Sequence, residues 1–135
     1  MFKKLNCTLL VDDDNVSVFL SEKFIRSLNI TNEIKIAPNG EAALQYIKEC
    51  SSQDIPYPEL ILLDISMPVM DAFDFLAQYQ KTYNGRSNTA IAILTTSSNP
   101  KDIDRLSKLG IAEYINKPLT HEKIIDFMEK HFKED

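Results

Sequence analysis

The sequence predicts an α/β domain in which a parallel sheet is covered by helices on both faces. Three observations carry that expectation. Leu60-Ile61-Leu62-Leu63 is an unbroken aliphatic run that meets Asp64 and, four residues later, Pro68. A short apolar run bounded by turn signals is the pattern of a strand buried on both faces. Similar runs alternate along the chain with segments of helical period, and such alternation implies parallel strands joined by right-handed helical crossovers. The runs also end in reactive side chains, and an open α/β sheet places its ligand crevice at the carboxyl ends of its strands.

Each element has its own signal. Leu5 to Val11 reads as the first strand and runs straight into Asp12, Asp13 and Asp14. Asp14 is the expected N-cap of a helix over Asn15 to Leu28, with Val16, Leu20, Phe24 and Leu28 at helical spacing and Phe19 and Ile25 beside them. Glu33 to Ala37 alternates and predicts a less buried strand near the sheet edge. Pro38-Asn39-Gly40 turns into a helix over Glu41 to Glu49, with Ala43, Leu44 and Ile47 inward. Ser51 to Pro58 is a loop leading into the central strand. Asp71 to Tyr79 predicts a third helix, with Phe75, Leu76 and Tyr79 in the core, and Thr82 to Thr89 a surface connection. Ala90 to Leu94 is a fourth strand, followed by Thr95-Thr96-Ser97-Ser98. Asn99 and Pro100 start a helix with Ile103 and Leu106 inward, and Gly110 closes it. Ile111 to Asn116 is the fifth strand and ends in Lys117-Pro118. Thr120 opens a last helix with Ile124, Ile125, Met128 and Phe132 inward.

Two strand orders suit such a chain, 3-2-1-4-5 and the flavodoxin-like 2-1-3-4-5. The second makes the first and third strands neighbours and brings Asp12 and Asp13 against Asp64, as a metal site needs. The expected fold is therefore a doubly wound, five-stranded parallel sheet in the order 2-1-3-4-5, forming one domain over residues 1–135 with no output domain.

Composition narrows the function classes. The 135 residues carry a net charge of −5 and no basic stripe, which argues against nucleic acid. No stretch reaches the ~20 apolar residues of a membrane span, and the amino-terminal residues lack a signal-peptide core, so the expected compartment is the cytoplasm. Cys7 and Cys50 lack metal-type spacing and read as reduced thiols. His121 and His131 read as surface helix residues, each without a second ligand at metal spacing.

Asp12, Asp13, Asp64, Thr95 and Lys117 thus collect at one sheet edge. Clustered oxygen donors without nearby histidine or cysteine suit a hard cation such as Mg²⁺ or Mn²⁺. A cation, a hydroxyl and a lysine are the groups that stabilise a transferring phosphoryl group, and an aspartate can accept it.

These motifs, Val11-Asp12-Asp13-Asp14, Asp64-Ile65-Ser66-Met67-Pro68-Val69-Met70-Asp71, Leu94-Thr95-Thr96-Ser97-Ser98 and Asn116-Lys117-Pro118, resemble the receiver domain of two-component response regulators, in the single-domain form typified by the chemotaxis regulator. The resemblance covers essentially the whole chain. It implies that Asp64 is the phospho-acceptor, that Asp13, Asp64 and the Ser66 backbone carbonyl bind Mg²⁺, and that Asp12 assists through a water. It further implies that Thr95 hydrogen-bonds the phosphoryl group, Lys117 neutralises it, Tyr114 is the switch aromatic, and Lys117–Pro118 is cis. The implied partners are a histidine kinase or phosphotransfer protein and a downstream effector docking on the fourth helix, fifth strand and fifth helix, with the chain a monomer or weak homodimer.

Three positions depart from the family pattern. Ser66 is short where a larger polar residue is frequent, Thr96 replaces a smaller residue, and Ala72 stands where glycine is common and would be strained at positive φ. Two other classes compete. A magnesium phosphohydrolase of the haloacid dehalogenase type would need a second Asp two residues after the nucleophile, where this chain has Ser66. A flavin or nucleotide carrier would need a glycine- and hydroxyl-rich loop after the first strand, where this chain has three aspartates.

Overall fold

A computed structural model describes residues 2–53, 55, 57–65, 70–83, 89–95 and 100–133. Ser66 to Val69 and Thr96 to Asn99 therefore lie outside the described residues, which covers the expected Ser66 carbonyl ligand, the Thr96 departure and the Asn99 cap. The described elements are β1 (Leu5–Val11), α1 (Asn15–Ser27), β2 (Thr31–Ala37), α2 (Gly40–Ser52), β3 (Leu60–Asp64), α3 (Ala72–Tyr83), β4 (Ala90–Thr95), α4 (Pro100–Ser107), β5 (Glu113–Asn116) and α5 (His121–His131). All pairings are parallel and the order is β2-β1-β3-β4-β5, so the second of the two candidate topologies is the one formed.

Side-chain alternation divides the sheet's two faces. Leu9, Val11, Ile61, Leu63 and Ile93 point to one side and pack with Ala43, Ile47, Phe75, Leu76 and Leu106 of α2, α3 and α4. Leu10, Leu60, Leu62 and Leu94 point to the other and pack with Ile25 of α1 and Ile124, Phe127 and Met128 of α5. Burying both faces explains why β3 is an aliphatic run and why β1 ends in one, Leu9-Leu10-Val11. β2, paired on one side only, keeps its mixed pattern.

Caps and close approaches fix the loops that carry the site. Asp14 accepts from the Val16 N–H at 3.1 Å, Asn39 from Ala42 at 2.9 Å, and Thr120 from Lys123 at 3.2 Å. Asp71 caps α3 by accepting from the Asp74 N–H at 3.0 Å, so the helix starts one residue later than its periodicity predicts. Ala72 is fully buried in the first turn of α3 and is not among the positive-φ residues, so the strain that a positive φ would bring does not arise. Gly40 has a different constraint. Its N–H donates to the Met70 carbonyl at 3.1 Å, and a Cβ there would lie 2.9 Å from that oxygen. Only glycine lets α2 approach the segment that follows β3.

Three helix faces differ from expectation. In α1, Ser21 and Ile25 are buried, with Val18, Phe24 and Leu28 packed around that core, whereas Val16, Phe19 and Leu20 are 66%, 64% and 42% exposed. Apolar residues occupy more than one stripe of this helix, and contact with α5 and the sheet selects the stripe holding the small Ser21. In α4, Leu106 is buried but Ile103 is exposed, and Arg105 lies 3.8 Å over the Phe73 ring of α3. In α5, Phe127 joins Ile124 and Met128 in the core, while Ile125 and Phe132 are only partly buried. Strand ends shift where pairing continues: β2 starts at Thr31 opposite Leu5, and β4 extends to Thr95 opposite Asn116. β5 begins at Glu113 rather than Ile111, which packs beside the α2–α4 core. Gly110 adopts φ +78°, as a helix stop requires, and Asn29 takes φ 53° after α1. Among the described residues no helix is long and apolar enough to cross a membrane.

Candidate acidic site at the carboxyl edge of the sheet

Register creates the site. Val11 of β1 lies opposite Leu63 of β3, so Asp12 and Asp64, each one residue further on, meet at the edge. Asp64 pairs with Leu94, and Thr95 with Asn116, which puts Thr95 and Lys117 at the adjoining strand ends. The Lys117 N–H donates to the Thr95 carbonyl at 2.8 Å, and the Asp12 N–H to that of Ala37 at 3.1 Å, so both loops leave the sheet under backbone restraint. The Lys117–Pro118 peptide is cis.

Asp12 is the anchored member. It is 2% exposed, and one of its oxygens accepts from the Ser17 hydroxyl at 2.8 Å and from Lys117 Nζ at 2.9 Å. Its other oxygen accepts from the Asp14 N–H at 3.0 Å. Lys117 Nζ stands 3.6 Å from Asp64 Oδ1, beyond good hydrogen-bond geometry. Asp13 is exposed, and carboxylate oxygens of Asp12, Asp13 and Asp64 all lie within 4.8 Å of one another.

The electrostatics follow. Burial is the main cause that raises the Asp64 carboxyl to about 6; Lys117 opposes it and Asp12 adds to it. Lys117 is raised as well: its own burial disfavours the charge, but the Asp12 hydrogen bond and the two carboxylates outweigh that. Three carboxylates facing one ammonium leave two negative charges uncompensated, and the donors are all hard oxygens. The group fits a small divalent cation.

Five of the residues read from the sequence thus converge: Asp12, Asp13, Asp64, Thr95 and Lys117. Tyr114 lies on β5 opposite Ile93, half-buried against the α2–α4 core. His121 bonds the Ser27 hydroxyl at 2.8 Å and meets Phe24 edge-on, while His131 stands 3.9 Å from Glu113; neither joins a metal cluster among the described residues. Sequence reading missed Ser17. Its only signal was a hydroxyl in the first turn of the helix that follows the acidic run. Beside the site, a cleft of about 270 Å³ is lined by Asp14, Val16, Ser17, Leu20, Ser21 and the Lys117-Pro118-Leu119 segment.

A doubly wound sheet with this acidic group between β1 and β3 defines a class: a flavodoxin-like module built to take a phosphoryl group rather than a nucleotide. The family follows from the whole length. The chain belongs to the response regulator receiver domain family, whose model matches residues 8–129 and so spans every residue of the site. It is 29% identical over 116 residues to the probable methanogenesis regulatory protein FilR2 of Methanothrix harundinacea, covering 86% of this chain and 74% of that one. A two-component response regulator from Cytophaga hutchinsonii superposes with a TM-score of 0.87 at 25% identity, covering 98% of this chain and 100% of that one. The Mn²⁺-bound form of the response regulator Rcp1 gives a TM-score of 0.73 at 25% identity, covering 93% and 90%. The chain is accordingly a phosphorylation-dependent signalling domain of the two-component type.

Proposed function

We propose that Asp64 is the phospho-acceptor. The observation that carries this is its position: a half-buried carboxylate at the end of the central strand, 3.6 Å from a lysine and within 4.8 Å of two further carboxylates. In the transfer the bond from phosphorus to the donor histidine nitrogen breaks as one from phosphorus to an Asp64 oxygen forms. Lys117 neutralises the charge that arrives, and the Thr95 hydroxyl donates to a phosphoryl oxygen. Asp13, Asp64 and the Ser66 carbonyl would hold Mg²⁺ or Mn²⁺, with Asp12 assisting through a water; the ion would supply positive charge to the phosphoryl oxygens. Rcp1, which has been solved with Mn²⁺, supports that reading.

Two surfaces support the partners in this reading. Val16, Phe19 and Leu20 form an apolar patch beside the cleft at Pro118 and Leu119, which suits a protein phosphodonor, a histidine kinase or phosphotransfer domain. Movement of Thr95 toward the phosphoryl group draws Tyr114 inward and reshapes the face formed by α4, β5 and α5, where an effector docks. The domain assists its own phosphorylation and dephosphorylation and turns over no external substrate. With Ser66 two residues beyond the nucleophile, a phosphohydrolase would lack its general acid.

The test is intact-protein mass after incubation with acetyl phosphate and Mg²⁺, for the wild type and for Asp64→Asn. One phosphate-sized gain that requires the metal and is absent from the variant is expected. A gain that persists in Asp64→Asn, or none with either acetyl phosphate or a phosphorylated kinase, refutes the assignment.

A further inference from the structure

The β5–α5 segment contains a lysine whose placement runs against its helix. Lys123 is the third residue after the Thr120 cap, within the positive end of α5, where acidic side chains are favoured. Its side chain folds back onto the preceding loop. Its Nζ donates to the carbonyl of Asn116 at 2.7 Å and to that of Pro118 at 3.0 Å, while its own N–H donates to the Thr120 hydroxyl at 3.2 Å. The two carbonyls flank Lys117 on either side. Together with the Lys117 N–H bond to Thr95, the backbone of Lys117 is held from three points. Charged donors to carbonyls make the stronger class of hydrogen bond.

A lysine that must meet a phosphoryl group gains little from charge alone if its backbone can drift, because misplacement by ~1 Å can cost on the order of 100-fold in rate. From this geometry we propose that Lys123 is a positioning residue for Lys117, its ammonium bridging two main-chain carbonyls so that the Lys117 side chain stays within reach of Asp64. The proposal rests on the reading of Asp64 as phospho-acceptor. Lys123 touches none of Asp12, Asp13 and Asp64 through a described bond, so its role separates from metal binding. It also lines a cleft of about 220 Å³ beside Tyr114 and Asn116, on the proposed effector face.

The experiment compares wild type, Lys123→Met, Lys123→Gln and Lys123→Arg by two readouts: the rate of Asp64 phosphorylation by acetyl phosphate, followed by intact mass, and Mg²⁺ affinity, followed by calorimetry. Lys123→Met and Lys123→Gln are expected to lose about tenfold in rate with Mg²⁺ affinity unchanged, and Lys123→Arg, which keeps the charge and offers two donors for the two carbonyls, to recover most of the rate. Two neutral variants guard against one of them misfolding. A wild-type rate in Lys123→Met and Lys123→Gln overturns the proposal. So does a parallel loss of rate and Mg²⁺ affinity that arginine does not rescue, since that pattern marks general loosening. A wild type that no donor phosphorylates refutes the acceptor assignment itself, a result recognisable because it precedes any comparison of variants.

Discussion

Removing the charge of Asp64 should stabilise the metal-free fold. Its carboxyl stands at about 6 against an ordinary value of 3.8, mainly because burial disfavours the anion. The folded state therefore holds more protons than the unfolded chain between those values. Stability from this group is fully present below about 3.8 and is lost as the pH rises through about 6. A shift of about two units, at ~1.4 kcal/mol each, sets an upper limit of about 3 kcal/mol. Residual solvent access to the side chain reduces that to about 2 kcal/mol. Asp64→Asn abolishes the penalty and keeps the shape. Lys117 is not stranded by the change, because its nearer partner is Asp12 at 2.9 Å. In a chelator at about pH 8, Asp64→Asn should thus melt roughly 6–8 °C above the wild type. The difference should shrink by about two thirds near pH 4.5 and vanish only below about 3.8, and should shrink or reverse in saturating Mg²⁺, which stabilises the folded wild type by mass action. Thermal denaturation followed by circular dichroism measures all three conditions. A variant no more stable than wild type in the chelator at pH 8, with an unaltered spectrum, would refute the electrostatic argument.

Two other changes test separate parts of the structure. Thr8 is fully buried and its hydroxyl finds no partner among the described residues, so Thr8→Val should raise stability by about 1 kcal/mol, read from the denaturant midpoint at constant slope. Phe19→Asp places a charge in the exposed patch of α1, and should slow transfer from a phosphorylated kinase at least about tenfold while the acetyl phosphate rate stays at the wild-type value; equal slowing by both donors would discount a protein-docking role for the patch.

The sheet and its site were legible because both depend on local pattern. Runs such as Leu60 to Leu63 could bury two faces only in a parallel sheet, and strand-end residues must share one edge once the strands are parallel. Strand order needed a further argument, the need of Asp12 and Asp13 for a neighbour in Asp64, and that argument chose correctly. Helix faces were harder. α1 carries apolar residues on overlapping stripes, and periodicity cannot choose among them when the deciding contact is with α5, 94 residues away at Ser27 and His121. One of the two buried residues on the chosen stripe, beside Ile25, is Ser21, which any hydrophobicity rule rejects. Ala72 shows a condition that sequence could not decide, because strain there required positive φ and the backbone is ordinary helix. Ser17 and Lys123 escaped because each acts through a hydrogen bond to a group outside its own pattern, a carboxylate five residues back and two main-chain carbonyls.

The unequal sharing of Lys117 bears on how the site can both rest and respond. At an effective dielectric of 20, contacts at 2.9 and 3.6 Å differ by about 1 kcal/mol of attraction. Asp12 also receives the Ser17 hydroxyl and the Asp14 N–H, so it is the better satisfied carboxylate. Asp64 is left as the less compensated of the two, and its burial, the main cause, is opposed only in part by Lys117, so its carboxyl stays raised. A difference of about 1 kcal/mol is small beside the change at Asp64. Its single negative charge would become about −1.5 to −2 near neutral pH, spread over phosphoryl oxygens that reach further into the site. Phosphorylation of Asp64 would therefore reverse the preference and draw Lys117 Nζ from Asp12 toward the acceptor. Such a transfer needs only side-chain rotation if the Lys117 backbone stays fixed. The bonds from Thr95 and Lys123 to its loop supply that fixity, so the site can redirect its lysine without remodelling the strand end that carries it.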